Sequence, residues 1–243
     1  MRTPFFIGWS PRSAAPLAGF LVMLTVLVLG GAGALALALG ARVGDPGGGE
    51  WLGERTVSGV ILQHPYPVLV TDPDATHPEG HALLLSGAGK VGVQAEAERF
   101  AGQRVRVTGA VVKRGDIDML LVDAVQADAA PLAGPVPTTP LGTWRVVGEI
   151  CDGKCVAGVM RPGDGLSHKA CANVCILGGV PPVLVTTGPV EGRRFMLMGD
   201  PDGRTLPESF RDHVGVKRRM EGTVTRVADM LVFHTDVTRA VVP

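Results

Sequence analysis

The 243-residue sequence has few aromatic side chains: one Tyr, three Trp and seven Phe. That scarcity removes most of the stacking platforms on which single strands of nucleic acid are read. An excess of either charge is missing too, since 23 basic and 23 acidic side chains cancel to a formal net charge of zero. No overall field therefore selects a polyanion or an acidic partner, and no nucleic-acid partner is expected. The chain also lacks a G-x-S-x-G elbow, a phosphate-binding loop, an H-E-x-x-H pair and any Ser/His/Asp set of workable spacing. No catalytic residue is assigned, and a binding or accessory role is expected ahead of an enzymatic one. Cysteine is missing from the whole chain except residues 151–175, where all four occur.

Long apolar runs are also scarce, with one exception. Residues 16–41, PLAGFLVMLTVLVLGGAGALALALGA, carry no charge. At about 1.5 Å per residue this run extends about 39 Å, enough to cross a hydrocarbon core of about 30 Å with some tilt. A cleaved leader has an apolar region of only about 7 to 15 residues. The run is therefore expected as a membrane anchor after a tail at 1–15, although small residues between Ala36 and Ala41 leave room for cleavage. Arg2 and Arg12 precede the run while Arg42 and Arg55 follow it. The amine of the short tail tips this near-tie, placing the tail inside and the bulk outside the cytoplasmic (inner) membrane.

The remainder contains one text twice. After a flexible tether at 42–50, the first copy occupies 51–128, and a Pro-rich linker at 129–143 separates it from the second copy at 144–243. HPYPVLVT is matched by VPPVLVT, HALLLSG by RFMLMGD, RVRVTGAV by KRRMEGTV, and DMLLVD by DMLVFH. Such self-similarity points to two copies of one fold. Periodicity predicts strands near Thr56–Leu62, Val68–Val70 and Ala82–Leu85, then a short helix in VQAEAERFAG, then strands in RVRVTGAVV and MLLVDAV. In the second copy the helix falls in LPESFRDHV, with Thr205 and Glu208 at capping-box spacing. Val105, Val107, Leu120 and Val122, and Met196, Met198, Val224, Leu231 and Phe233, are the predicted core. Three strands, a helix and two strands resemble the OB-fold, a five-stranded Greek-key barrel. The expected fold class is therefore mainly β: one transmembrane helix followed by two tandem OB-like barrels.

The two copies differ at one place. Where VILQ passes almost directly to HPYPVLVT, EICD is followed by roughly 25 further residues before PPVLVT, in a loop that helps build OB-fold ligand faces. This insertion, 151–179, reads C-x3-C-x12-H-x2-C-x3-C. Cys155, His168, Cys171 and Cys175 would supply a tetrahedral Cys3His site, with Cys151 spare or replacing His168. Zinc is the first candidate ion, ahead of copper or iron. The alternative is two disulfides among Cys151, Cys155, Cys171 and Cys175, favoured by an oxidising compartment and a Gly/Pro-rich loop. A redox-active thiol pair is the third reading. Haem attachment fails for want of C-x-x-C-H, and a Rieske centre for want of a second histidine. A blue-copper arrangement would need Met160 and a further histidine, His213 or His234.

GEICDGKCVAGVMRPGDG and SHKACANVCILGGVPPVLV resemble a motif of uncharacterised bacterial membrane-anchored envelope proteins. The resemblance implies Cys155, His168, Cys171 and Cys175 as the working set. Elsewhere, His64, His77 and His81 read as isolated residues of solvated turns, as do Asp152 and Asp164 beside the cysteines. The basic run VKRRMEGTVTRV reads as an outward-facing strand. The expectation is an extracytoplasmic accessory protein, a subunit or assembly factor of an envelope redox or respiratory complex. It would be bound to the membrane through its helix and to a protein partner. Thiol–disulfide or metal transfer is the alternative.

Overall fold

The computed structural model describes residues 15–43, 47–63 and 65–243. It divides into two compact units, one ending at Asp45 and one beginning at Pro46. The first contains α1 (Ala15–Val43), a single helix with exposed apolar side chains. Within it Leu17–Ala38 has a mean hydropathy of 2.4, making α1 long and apolar enough to span a membrane.

The second unit is mainly β. In its N-terminal half, β1 (Glu50–Leu62), β2 (Val68–Thr71) and β3 (Ala82–Ser86) precede a short helix, α2 (Gln94–Arg99), and then β4 (Arg104–Arg114) and β5 (Ile117–Ala127). These strands pair in the order β1-β2-β3-β5-β4, and β4 returns to β1. All pairings are antiparallel except β3 with β5. The C-terminal half contains β6 (Thr138–Asp152), β7 (Pro182–Val190), β8 (Arg193–Gly199), β9 (Lys217–Val227) and β10 (Met230–Thr235). Its order β6-β7-β8-β10-β9 closes into a five-stranded barrel, again with one parallel pair, β8 with β10.

Period-two alternation sorts the apolar residues into three cores. Ile61, Leu69, Leu83, Leu85 and Leu120 fill the N-terminal half, with Val105 and Val107 as predicted and Val122 only packed against them. Ile150 and Leu184 join the predicted Met196, Met198, Val224, Leu231 and Phe233 inside the C-terminal barrel. The residues between these face outward, and they do not face solvent. Val68, Leu84 and Met119 pack against Val183, Phe195 and Leu197 in a third core, the seam joining the two halves. On β9, Lys217 and Arg219 are exposed while Met220 is buried, the expected outward strand.

Four features differ from expectation. The described end of the tether is held: the Gly47 and Gly49 carbonyls accept hydrogen bonds from Arg114 and Arg161. β1 begins at Glu50 and β6 at Thr138, inside the expected linker. Each carries a bulge, at Trp51/Gly53 and Pro140/Thr143 respectively, where Gly or Pro interrupts a strand that continues beyond it. Glu208–His213 forms a 3-10 turn rather than an α-helix, capped by Pro207 without a side-chain bond, so the Thr205–Glu208 capping box does not form. Just before this turn the buried Tyr66 hydroxyl accepts from the Leu206 amide at 3.2 Å.

Candidate metal centre

The insertion between β6 and β7 folds into helical pieces. A five-residue π-turn at Cys155–Val159 is followed by a 3-10 turn at Leu166–His168, which runs into α3 (Lys169–Leu177). In α3 Ala172, Cys175 and Ile176 are buried, the i, i+3, i+4 pattern of one helix face. Cys171 and Cys175 are four residues apart and share a side of the helix. The x3 spacing, loose for a zinc knuckle, is a helical spacing. Ala172 and Ile176 enter the C-terminal core, whereas Val156, Ala157, Cys155 and Cys175 enter the seam. The insertion is therefore held by apolar burial as well as by its sulfur.

Its sulfur atoms converge. Ligand atoms of Cys155, His168 and Cys171 lie within 4.8 Å of one another, and so do those of Asp152, Cys155 and Cys175. Cys155 belongs to both groups. Asp152, 0% exposed, organises the cluster. One of its oxygens accepts the Cys155 amide at 2.8 Å and the other meets His168 Nε2 at 2.9 Å. A carboxylate on one ring nitrogen is the arrangement that orients imidazoles at metal sites.

Two lysines complete the surroundings. Lys90, from the loop after β3, places Nζ 2.7 Å from Cys171 Sγ and 3.7 Å from Cys175 Sγ. The buried Lys154 reaches the other way and donates to the Gly87 and Gly89 carbonyls of that same loop. Backbone contact reinforces this docking, with Gly92 N donating to Gly178 O at 2.8 Å. A Cβ on Gly178 would lie 1.9 Å from Lys90 O, so only glycine fits there. The electrostatics split the thiols. A hydrogen bond from Cys155 pulls Cys175 down to about 7, with Lys90 assisting against burial. That same bond and burial push Cys155 well up. Burial, followed by Glu149, raises Cys151.

Of the expected set, Cys155, His168 and Cys171 are brought together, and Cys175 is brought to Cys155 and Asp152. Cys151 is not: its Sγ lies 3.4 Å from Glu149 Oε1. All four cysteines are free thiols, so the disulfide pairings among Cys151, Cys155, Cys171 and Cys175 are not formed. Met160 does approach, 3.8 Å from Cys171 Sγ, but neither His213 nor His234 joins the cluster among the described residues. Asp164 lies in a bend as expected, but half-buried and paired with Arg114 at 3.5 Å. Asp152 is not a surface turn residue; it is the buried partner of His168. The clue was its place at the end of the strand that launches the insertion. Lys90 and Lys154 gave no sequence signal. His64 lies outside the described residues, whereas His77 and His81 are not isolated, since both lie beside Asp229. The chain matches no family model, no curated protein and no solved structure.

Proposed function

We propose that the protein is a membrane-anchored, extracytoplasmic accessory protein carrying one soft metal ion, zinc first, on Cys155, Cys171, Cys175 and His168. The observation that carries this reading is the pair of triads sharing Cys155, one with His168 and Cys171 and one with Cys175 and Asp152, with the fully buried Asp152 carboxylate on the His168 ring. Thiolate and imidazole are the donors a tetrahedral zinc site uses. Three thiolates around a divalent ion leave one negative charge, and Lys90 stands beside two of the sulfurs to balance it. Bound there, the ion would cross-link the π-turn at Cys155–Val159 to His168 and α3.

The scaffold is read as a duplicated OB-like barrel. Supporting this are the shared strand order, the single parallel pair in each half and a bulge early in each first strand. An accessory role rather than a purely structural one is supported by access. A cleft of about 520 Å³, mostly apolar and lined in part by Trp51, Val159, Met160, Cys155 and Cys175, opens onto the cluster. A partner in an envelope complex would dock over that cleft. The length and hydropathy of α1 support the membrane anchor.

Metal analysis of the full chain purified in detergent under reducing conditions tests the centre. About one equivalent of thiolate-ligated metal is expected, and that equivalent is lost in Cys155→Ser, Cys171→Ser and Cys175→Ser and retained in Cys151→Ser. The hydrogen-bonded Cys155–Cys175 pair also favours a second reading, thiol–disulfide exchange. In it a substrate disulfide takes two electrons and two protons as Cys155 and Cys175 become a disulfide. That activity would survive His168→Ala and titrate between about −120 and −270 mV. A chain with neither bound metal nor such a couple would remove both readings.

A further inference from the structure

The seam contains a second cluster with no sulfur in it. His81, just before β3, spans the two halves: its Nδ1 lies 2.8 Å from Asp229 Oδ2 and its Nε2 2.7 Å from Asp118 Oδ2. Asp229 sits in the β9–β10 turn, placed there by Ala228, whose φ of 49° is left-handed and uncommon for a residue with a side chain. Asp118 lies in β5, and its other oxygen pairs with Lys113 at 3.3 Å. His77 stacks on His81 with ring centroids 4.3 Å apart. The His77 loop is fixed by Asp74, which accepts the His77 amide and lies 3.4 Å from His77 Nδ1. Ligand atoms of His77, His81 and Asp229 all lie within 4.8 Å of one another.

We infer that His77, His81 and Asp229 form a second metal site, for a divalent first-row transition ion, at the seam. Two imidazoles and one carboxylate leave coordination positions open, the donor set of many zinc and iron(II) sites. His81 has the Asp118 carboxylate on Nε2, leaving Nδ1 on the Asp229 side, which fixes ring orientation as at established centres. The open positions face a cavity of about 580 Å³ in whose lining carboxylates outnumber lysine and arginine. Arg193 forms an ion pair with the same Asp229 oxygen at 3.5 Å, so a bound ion would share that carboxylate with a guanidinium neighbour. The donors are nitrogen and oxygen, so the site selects harder ions than the thiol cluster does.

Co²⁺ separates the two clusters, because thiolate ligation gives intense charge-transfer absorption and imidazole–carboxylate ligation does not. The full chain, in detergent with thiols reduced, would be titrated with Co²⁺ by equilibrium dialysis with absorption spectra. The inference expects one equivalent bound without charge-transfer absorption, present also in the Cys155→Ser/Cys171→Ser/Cys175→Ser protein. It therefore stands or falls independently of the sulfur centre. His77→Ala, on a loop outside the strands, should weaken that equivalent at least 10-fold while leaving any charge-transfer band intact, and Asp229→Asn should do the same. Absence of a sulfur-free equivalent in the unaltered chain, or its persistence at full affinity in His77→Ala, overturns the inference.

Discussion

Asp152 does two jobs with two oxygens, and a single substitution separates them. Asp152→Asn preserves the size of the group and the acceptor for the Cys155 amide, but its neutral amide no longer holds the His168 ring as a carboxylate does. Metal affinity of the thiol centre should fall about 10- to 100-fold, with little change in thermal stability of the metal-free chain; competition with a chromophoric chelator measures the first and a melting scan the second. Tyr66 supplies a pH signature. Burial pushes its phenol up to about 12 despite the Leu206 contact, and it is the sole tyrosine of the chain. The folded state thus favours the neutral phenol, so the stabilisation is complete below the unfolded value of about 10 and is lost as pH rises towards about 12. The loss should be on the order of 2 kcal/mol. A tyrosinate absorbance titration of the folded protein should have its midpoint near the upper value, and a midpoint near 10 would contradict the burial described.

Among the elements, α3 and the loop after β3 depend on each other most. Gly178→Ala would push a methyl group into the Lys90 carbonyl, prying the loop from the end of α3. A destabilisation of about 2–4 kcal/mol is expected, together with loss of the Lys90 contact to the thiols, readable as a rise in the pH at which Cys175 reacts with an alkylating reagent. Strand order and core were legible in the sequence because alternation and repetition are local signals. Val105, Leu120, Met196 and Phe233 announce their faces by period two alone. The first strands were under-read because Gly53 and Pro140 look like strand ends, whereas bulges absorb them. α3 was read as loop because nine residues with two cysteines hardly establish a period. Lys90 was invisible for another reason: it lies 81 residues from Cys171, and nothing local marks a contact made only when two halves dock.

At the scale of the molecule, the seam makes the two halves one folding unit. Phe195 is 3% exposed and packs among residues of both sheets. Phe195→Ala should cost about 3–5 kcal/mol and lower the transition of both halves together. Fluorescence and circular dichroism would then report one midpoint; two separated midpoints would show that the halves unfold independently. Removal of residues 1–45 should abolish the detergent requirement while preserving metal binding, since α1 and the rest are separate compact units.

The thiol cluster takes its imidazole and sulfurs from the insertion, its counter-charge from Lys90 and its support from a seam that includes Val232 near the end of the chain. A ribosome must therefore release the polypeptide past β10 before that environment exists. Shorter translation products and clipped fragments would carry the same thiols without those surroundings.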